Sequence, residues 1–252
     1  MNTRKPLIAA NWKMNGDLTL LKSLLSLIDD QAKASDVDVL VCPAFTMFSA
    51  FNELNNGDTK LGAQNVSEFD SGAYTGEISN QMLLELSCEY VLLGHSERRE
   101  LFAETNQVIA EKFIKSAKQG LLPVLCIGET LEERESGATE KVLKEQLSAV
   151  IALSSAQDWQ GAVIAYEPVW AIGTGKTATS AMAQETHQFI RGYLAENQVT
   201  ADIAEKIRIL YGGSMKPENA AELIAQPDID GGLVGGASLS PDSFVSIINA
   251  AG

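Results

Sequence analysis

A few polar and glycine residues of the chain are of the kinds that act on small anionic substrates. They are Asn11, Lys13, His95, Ser96, Glu97, Glu167 and the pairs Gly212–Gly213 and Gly235–Gly236. A glutamate such as Glu167, at the end of an apolar run, suits abstraction of a proton next to a carbonyl. Glycine pairs leave backbone N–H groups free to bind phosphate. These residue types predict acid–base chemistry on a phosphorylated small molecule.

The charge of the chain limits its partners and raises a question about an anionic substrate. Lys and Arg number 19 against 33 acidic residues, which gives a net charge of −14. Such a chain repels nucleic acid and anionic membranes, and we expect neither as a partner. An anionic substrate therefore needs local positive potential, for which Lys13 and backbone amides are the candidates.

Glu167 and His95 each have an ordinary interpretation beside the catalytic one. A glutamate at a strand end often only caps the strand or pairs with a lysine, and a histidine is often a structural residue. Pro168 restricts the backbone of Glu167 to extended conformations, and the loop that follows favours a catalytic glutamate. The second histidine, His187, lies within a predicted helix among polar residues, so we expect it at the surface.

We expect no metal site. Neither histidine has metal-ligand spacing to a cysteine or carboxylate cluster. The three cysteines (Cys42, Cys88 and Cys126) lie in apolar contexts without the spacing of a disulfide framework, which indicates a reducing compartment. We interpret Cys126 as a packing residue. The first residues lack an apolar segment with a cleavage site, and the chain has no membrane-length apolar run, so we expect a cytoplasmic protein.

Short apolar runs alternate with helical patterns along the whole chain and must position these residues. The predicted strands are Leu7–Ala10, Val37–Val41, Lys60–Gln64, Tyr90–Leu93, Leu121–Ile127, Ala162–Tyr166, Ile207–Leu210 and Gly231–Val234. Apolar residues at i, i+3, i+4 and i+7 predict amphipathic helices between them. Gly120 is placed to end one helix, and Ser240–Pro241 to begin another.

Eight such units predict a single (β/α)₈ barrel of parallel strands ringed by helices, one domain over residues 1–252. The alternative is a doubly wound open sheet, which binds its ligand at one switch point. The candidate residues instead follow many different strands, and closure of a barrel brings all those strand ends to one mouth.

Five stretches of the sequence resemble the signature segments of triosephosphate isomerases. They are AANWKMNG (9–16), GHSERR (94–99), AYEPVWAIGTGKTAT (165–179), YGGS (211–214) and GGLVGGAS (231–238). The resemblance implies an isomerase that interconverts dihydroxyacetone phosphate and D-glyceraldehyde 3-phosphate through an enediolate, in glycolysis and gluconeogenesis. It also implies that the reaction needs no cofactor.

The resemblance assigns roles to the candidate residues. Glu167 is the base and His95 the electrophile on the carbonyl; triosephosphate isomerase is itself the standard example of a neutral imidazole in that role. Lys13 stabilises the charge of the enediolate, supported by Asn11. Glu97 orders Lys13. Ser96 is expected to bond His95 or Glu167.

Residues 168–177 are predicted to form a lid. They are Pro168, Val169, Trp170, Ala171, Ile172, Gly173, Thr174, Gly175, Lys176 and Thr177. Closure would exclude water and retain the enediolate. The GTGKT segment is similar to a nucleotide-binding P-loop, but Trp170 stands where that motif needs its first glycine, so we reject the nucleotide-binding interpretation.

The phosphate is expected at amides near the last two strands. Barrels often bind phosphate there, and a short helix is predicted to begin near Gly236. Substrate-binding residues are expected to be Asn11, Lys13, Ile172, Gly173, Ser214, Gly235 and Gly236.

The stretch from Gln64 to Glu77 is similar to the projecting third loop of the family. That similarity implies a homodimer in which Thr75 braces Asn11 and Lys13 of the other subunit.

Two other functions remain open from the sequence. One is an aldolase-type lyase on the same fold, which needs a Schiff-base lysine deep on a strand. Lys13, Lys60 and Lys176 lie instead at a mouth, a strand start and the predicted lid. The other is a barrel that binds phosphate without catalysis.

Overall fold

In the computed structural model, eight parallel strands form a closed barrel. The structure describes residues 4–31, 36–172 and 178–252. The strands are β1 (Leu7–Asn11), β2 (Asp38–Cys42), β3 (Lys60–Ala63), β4 (Tyr90–Leu93), β5 (Leu122–Ile127), β6 (Val163–Tyr166), β7 (Arg208–Tyr211) and β8 (Gly231–Val234). Leu7 is in register with Asp38 of β2 on one side and Gly231 of β8 on the other. The predicted barrel is confirmed, and the open sheet is excluded because β8 pairs with β1.

Helices connect the strands and surround the barrel. The described α-helices are α1 (Leu18–Gln31), α2 (Phe48–Leu54), α3 (Asn80–Glu85), α4 (Ser96–Leu101), α5 (Asn106–Gln119), α6 (Leu131–Glu135), α7 (Thr139–Ile151), α8 (Ser180–Glu196), α9 (Pro217–Ile224) and α10 (Pro241–Asn249). Gly120 follows α5 with a left-handed φ of 101°, as its predicted capping position requires. The Ser240 side chain caps α10, and Pro241 is its first residue, which confirms that predicted start.

The strands are buried on both faces, which explains why they read as continuous apolar runs. Alternate residues of β1 belong to different clusters. Leu7 and Ala9 join the smaller cluster, which includes Leu92 and Val124 from β4 and β5. Ile8 and Ala10 instead belong to the larger cluster that packs the helices against the strands. This period of two places side chains alternately inside and outside the barrel.

A buried ion-pair network ties together the end of the barrel where the strands begin. Asp230, next to the start of β8, accepts hydrogen bonds from Arg4 Nε and Arg191 Nη2, both at 2.7 Å. Its Oδ2 also accepts from the Ile209 backbone N–H at 2.9 Å. Arg191 also pairs with Asp228 at 2.7 Å. The network links the N-terminal segment, α8, β7 and β8 at the end that in barrels serves stability.

The prediction that His187 lies at the surface is wrong. Its side chain is fully buried, and its Nδ1 lies 2.7 Å from the carbonyl oxygen of Ala183. The imidazole packs edge-on against Tyr166, with ring centroids 5.5 Å apart. Burial lowers the pKa of His187 to about 4, so the ring is neutral at neutral pH. Within α8, Ala183, His187 and Ile190 follow helical spacing, so His187 belongs to the apolar stripe and not to the polar face.

The three cysteines lie in the packed interior. Cys42, Cys88 and Cys126 are free thiols and buried. Cys126 lies in the smaller cluster with other apolar residues of β5 and β6, as a packing residue does. None of the described helices combines the length and apolar character needed to cross a lipid bilayer.

Candidate active site

The strand ends enclose a cleft of about 570 Å³ that gathers the predicted substrate-binding residues. Of the residues predicted from the sequence, those lining it are Asn11, Lys13, His95, Glu167, Ile172, Gly212, Gly213, Ser214, Gly235 and Gly236. These residues follow five different strands and a loop. Parallel strands that close into a barrel bring their carboxyl ends to the same face, so distant sequence segments meet. Gly173 lies outside the described residues.

Glu167 is held by contacts to the end of β4. The residue follows β6 and is only 2% exposed. Its Oε1 lies 2.9 Å from His95 Nε2, and its Oε2 accepts a hydrogen bond from the Ser96 backbone N–H at 3.0 Å. A Cβ on Gly212 would lie 2.9 Å from Glu167 Cγ, so β7 approaches this closely because position 212 has no side chain. The carboxylate is thus buried, oriented and in contact with the imidazole.

The hydrogen bonds of His95 define its tautomer. His95 is the N-cap of α4, and its Nδ1 accepts the Glu97 backbone N–H at 3.3 Å. A nitrogen that accepts needs a free lone pair, so the proton of the neutral ring lies on Nε2, which faces Glu167. Burial lowers the pKa of His95, but the adjacent Glu167 carboxylate outweighs it, and the pKa is raised overall. That raised pKa therefore depends on where the carboxylate lies.

Lys13 lies across the same mouth in a strained backbone conformation. Its φ is +53°, which is uncommon for a residue with a side chain. The Lys13 N–H donates to Asn11 Oδ1 at 3.0 Å, and Nζ pairs with Glu97 Oε1 at 2.5 Å. A Cβ on Gly235 would lie 3.8 Å from Lys13 Cε, so the lysine chain passes close to that glycine. The ammonium thus lies between the His95–Glu97 segment and the glycines after β8.

The glycines after β8 begin a short helix, as predicted. A 3₁₀ turn spans Gly236–Leu239, and the Ser238 N–H and hydroxyl both bond the Gly235 carbonyl. Ser214, after β7, lines the same side of the cleft. Free amides at the start of such a turn are suited to an anion.

The first part of the predicted lid is anchored to Glu129, which the sequence analysis missed. Pro168 precedes a 3₁₀ turn over Val169–Ala171. Glu129 is fully buried, and its Oε1 accepts from Trp170 Nε1 and from the Tyr166 hydroxyl, both at 3.0 Å. Arg134 pairs with the same oxygen at 3.1 Å. The signal in the sequence was a charged residue two positions beyond an apolar strand.

Of the remaining predicted residues of the lid and of the third loop, only Thr75 belongs to the described part of the chain. Gly173, Thr174, Gly175, Lys176 and Thr177 lie outside the described residues. Thr75 is exposed on the segment between β3 and α3. No group of three or more His, Cys, Asp or Glu side chains in residues 4–31, 36–172 and 178–252 is arranged to hold a metal ion.

The chain is similar to known proteins over nearly its whole length. A family model described as triosephosphate isomerase matches residues 6–251. A curated relative named triosephosphate isomerase, from Halorhodospira halophila, is 55% identical over 248 residues, which cover 98% of each chain. Relatives of the same name from Magnetococcus marinus and Herminiimonas arsenicoxydans are 51% and 52% identical, over 98% of this chain and 98% and 100% of theirs.

Proposed function

Because the chain belongs to the triosephosphate isomerase family, we propose that Glu167 and His95 carry out its reaction as base and electrophile. The chain is an enzyme that interconverts dihydroxyacetone phosphate and D-glyceraldehyde 3-phosphate, a step of glycolysis. The observation that carries the residue assignment is the 2.9 Å contact between His95 Nε2 and Glu167 Oε1. A substrate whose carbonyl oxygen replaces that carboxylate oxygen meets a proton donor and a proton acceptor side by side.

The reaction then proceeds by transfer of one proton between neighbouring carbons. Glu167 takes the proton from the carbon next to the carbonyl, and the C–H electron pair moves into the enediolate. The Nε2–H of His95 donates a hydrogen bond to the oxygen that gains charge, and the Lys13 ammonium stabilises the same charge. Glu167 returns the proton to the adjacent carbon. The hydroxyl proton of the first carbon moves to the former carbonyl oxygen, with His95 as the group that passes protons between the two oxygens, and this completes the isomerisation without net gain or loss of electrons.

Asn11, Ser96 and Glu97 are proposed to hold these groups in place. The Asn11 side chain fixes the Lys13 backbone, and the Ser96 N–H fixes the resting position of the Glu167 carboxylate. Glu97 orients the Lys13 ammonium and presents its N–H to His95. The proposed base, electrophile and cation are thus positioned by contacts within residues 11–13, 95–97 and 167.

We further propose that the phosphate of the substrate binds at Ser214, Gly235, Gly236 and the lid residue Gly173. The turn after β8 supports this proposal because Gly235 and Gly236 line the cleft and Gly235 lies close to the Lys13 side chain. Amides and one ammonium then bind a dianion in a protein whose net charge is −14. Residues 168–177, including Ile172, are proposed to close over the bound substrate.

A lyase that forms a Schiff base is disfavoured by where Lys13 and Lys60 lie. Lys13 is engaged with Glu97, and Lys60 begins β3 at the end of the barrel opposite the cleft. Borohydride reduction in the presence of dihydroxyacetone phosphate is expected to leave the protein unlabelled. A mass increase on a cleft lysine would support the lyase instead.

The roles of the residues are tested with a coupled assay on glyceraldehyde 3-phosphate, run with a chelator and without cofactor. Wild-type protein is expected to turn over. Glu167→Asp is expected to lose most turnover but to retain the binding of inorganic phosphate, because the shorter carboxylate no longer reaches the substrate carbon. Glu132→Asp, on the exposed part of α6, is the matched control and should match wild type. Unchanged turnover in Glu167→Asp would remove Glu167 from the base role.

We propose a homodimer in the cytoplasm, built from one domain over residues 1–252. Large apolar side chains are exposed near the cleft and on the segment that carries Thr75. Met14, next to Lys13, is 96% exposed, and Phe102, directly after α4, is 64% exposed. Phe69 and Tyr74 stack on each other with ring centroids 4.0 Å apart and remain partly exposed. Exposed apolar groups of this kind favour a protein partner, and in the proposed homodimer a second copy of the chain covers them.

A further inference from the structure

The end of β3 contributes a side chain that none of the proposed chemical steps uses. Gln64 is the first residue after β3, at the same rim of the barrel as Asn11 and Lys13. Its Nε2 donates to the Lys13 carbonyl oxygen at 2.8 Å and to the Cys42 carbonyl oxygen at 2.9 Å. A side-chain amide nitrogen has two hydrogens, so these two bonds use its full donor capacity.

The two acceptors join the segment after β1 to the end of β2. The Cys42 carbonyl also accepts the Trp12 backbone N–H, at 3.2 Å. Gln64 therefore bonds Lys13 directly. It also shares the Cys42 carbonyl, as an acceptor, with Trp12, the residue that precedes Lys13. A single amide connects three neighbouring strand ends at the point where the chain leaves β1.

The backbone of Lys13 needs such support because its conformation is strained. Lys13, Ser87 and Ala103 are the non-glycine residues with positive φ among those the structure describes. In this conformation the Cβ atom lies close to the following carbonyl oxygen, so it is less favourable than the ordinary region. Asn11 holds the N–H of Lys13, and Gln64 holds its carbonyl, so the two peptides flanking its Cα are fixed by different side chains.

We propose that Gln64 is a positioning residue for the isomerase reaction. Gln64 holds the Lys13 backbone so that the ammonium of Lys13 faces the substrate. The proposal rests on the role proposed above for Lys13. Because the lysine side chain is long, a small backbone rotation moves Nζ out of hydrogen-bond range of a fixed oxygen. Gln64 thus acts through Lys13, and the competing explanation is that it only ties strand ends together.

The first variant is Gln64→Met, which keeps the length of the side chain and removes both donors. The value of kcat/KM is expected to fall between about 10-fold and 100-fold, since each of the two lost bonds is part-buried and corresponds to roughly one factor of ten. Inhibition by inorganic phosphate is expected to weaken in the same variant. The control is Gln107→Met, because Gln107 bonds only the exposed Glu111 in the described structure. That control should match wild type.

A double-mutant cycle separates positioning from a structural role. If Gln64 acts through Lys13, Gln64→Met changes the residual kcat/KM of a Lys13→Met protein by no more than about twofold. The proposal is overturned if Gln64→Met lowers kcat/KM by the same factor in the Lys13→Met protein as in the wild-type protein. It is also overturned if Gln64→Met leaves kcat/KM of the wild-type protein unchanged. Binding of inorganic phosphate, measured by calorimetry, completes the cycle if the residual activity is too low to measure.

A second variant, Gln64→Glu, keeps the shape and also removes the donors, and circular dichroism with thermal melting checks that each protein folds. If both Gln64 variants are unfolded where Gln107→Met is folded, Gln64 is a structural tie and the proposal is wrong. Failure of the proposed function is visible separately, because a Lys13→Met protein with wild-type kcat/KM would remove Lys13 from the mechanism whatever Gln64 does.

Discussion

Nε2 of His95 and Oε1 of Glu167 lie 2.9 Å apart, although strand β5 separates the two strands that carry these residues. The contact forms because both side chains point into the mouth of the barrel. The Glu97 N–H occupies Nδ1 and leaves the Nε2 proton facing the carboxylate. Proton donor and proton acceptor are thus oriented toward each other at the position proposed for the substrate.

The pKa of His95 should fall when the charge of Glu167 is removed. Burial lowers this pKa, and the Glu167 carboxylate raises it above the ordinary value. In Glu167→Gln the carboxylate is gone and burial still lowers the pKa of His95, so the imidazole should stay neutral to a lower pH. A ¹⁵N NMR titration of the ring measures this. Glu218→Gln, in the same cleft, is the control and should leave the pKa unchanged; an unchanged or higher pKa in Glu167→Gln would contradict the account.

The ion-pair network around Asp230 should dominate the stability of the end of the barrel opposite the cleft. Asp230→Asn keeps the shape but removes the charge that compensates Arg4 and Arg191, at a cost of about 3–5 kcal/mol in the free energy of unfolding. The control Glu145→Gln removes an exposed pair with Lys141, and should cost less than about 0.5 kcal/mol. Urea denaturation measures both. Equal small losses would show that the buried network adds little.

The burial of His187 should make stability depend on pH in a defined window. Its folded pKa of about 4 lies below its ordinary value of 6.5, so the unfolded chain binds the additional proton between these values. The stabilisation is present above pH 6.5 and is lost as the pH falls toward 4, by about 3 kcal/mol in total. Asp230 and Arg191 are the charged groups that act on the ring, in opposite directions.

His187→Asn tests this dependence because its amide can replace the donor to Ala183. The variant is expected to be less stable at pH 7, since it removes a packed ring, but to lose less stability between pH 6.5 and 4. Urea denaturation across that range, at one protein concentration, gives the difference between the two curves. Parallel curves for variant and wild type would show that His187 does not titrate in this window.

The proposed homodimer predicts that Met14 is covered in solution. Met14→Lys places a charge on a side chain that is 96% exposed in one copy, so it should fold but dissociate. Analytical ultracentrifugation across a range of concentrations measures the mass. Leu153→Lys, at an exposed position after α7, is the control and should remain dimeric. A wild-type protein that sediments as a monomer would contradict the proposal.

Much of the fold follows from local sequence patterns. The predicted strands agree with the observed ones to within one residue at every end, because strands buried on both faces are continuous apolar runs flanked by polar residues. The cleft residues were found because barrel geometry gathers strand ends, and the family resemblance supplied their roles. Gly120 marks the end of α5 and Pro241 the start of α10, in both cases because of backbone geometry alone.

What the sequence analysis missed depends on contacts between distant segments. Asp230 bonds Arg4 across 226 residues, and no local pattern indicates that pair. Gln64 resembles any polar residue after a strand until the Lys13 carbonyl is found beside it. His187 was predicted wrongly for a different reason. Its polar neighbours Glu185 and Gln188 indicate a polar helix face. The helical spacing from Ala183 to His187 and Ile190 instead places His187 on the buried stripe.

The most direct test of the central claim is hydrogen exchange at the substrate carbon, followed by ¹H NMR in D₂O. If the Glu167 carboxylate removes the proton, wild-type protein with dihydroxyacetone phosphate forms glyceraldehyde 3-phosphate and introduces deuterium next to the carbonyl. Glu167→Gln should abolish both processes while it still binds inorganic phosphate. Deuterium incorporation at the wild-type rate in Glu167→Gln would show that another group removes the proton.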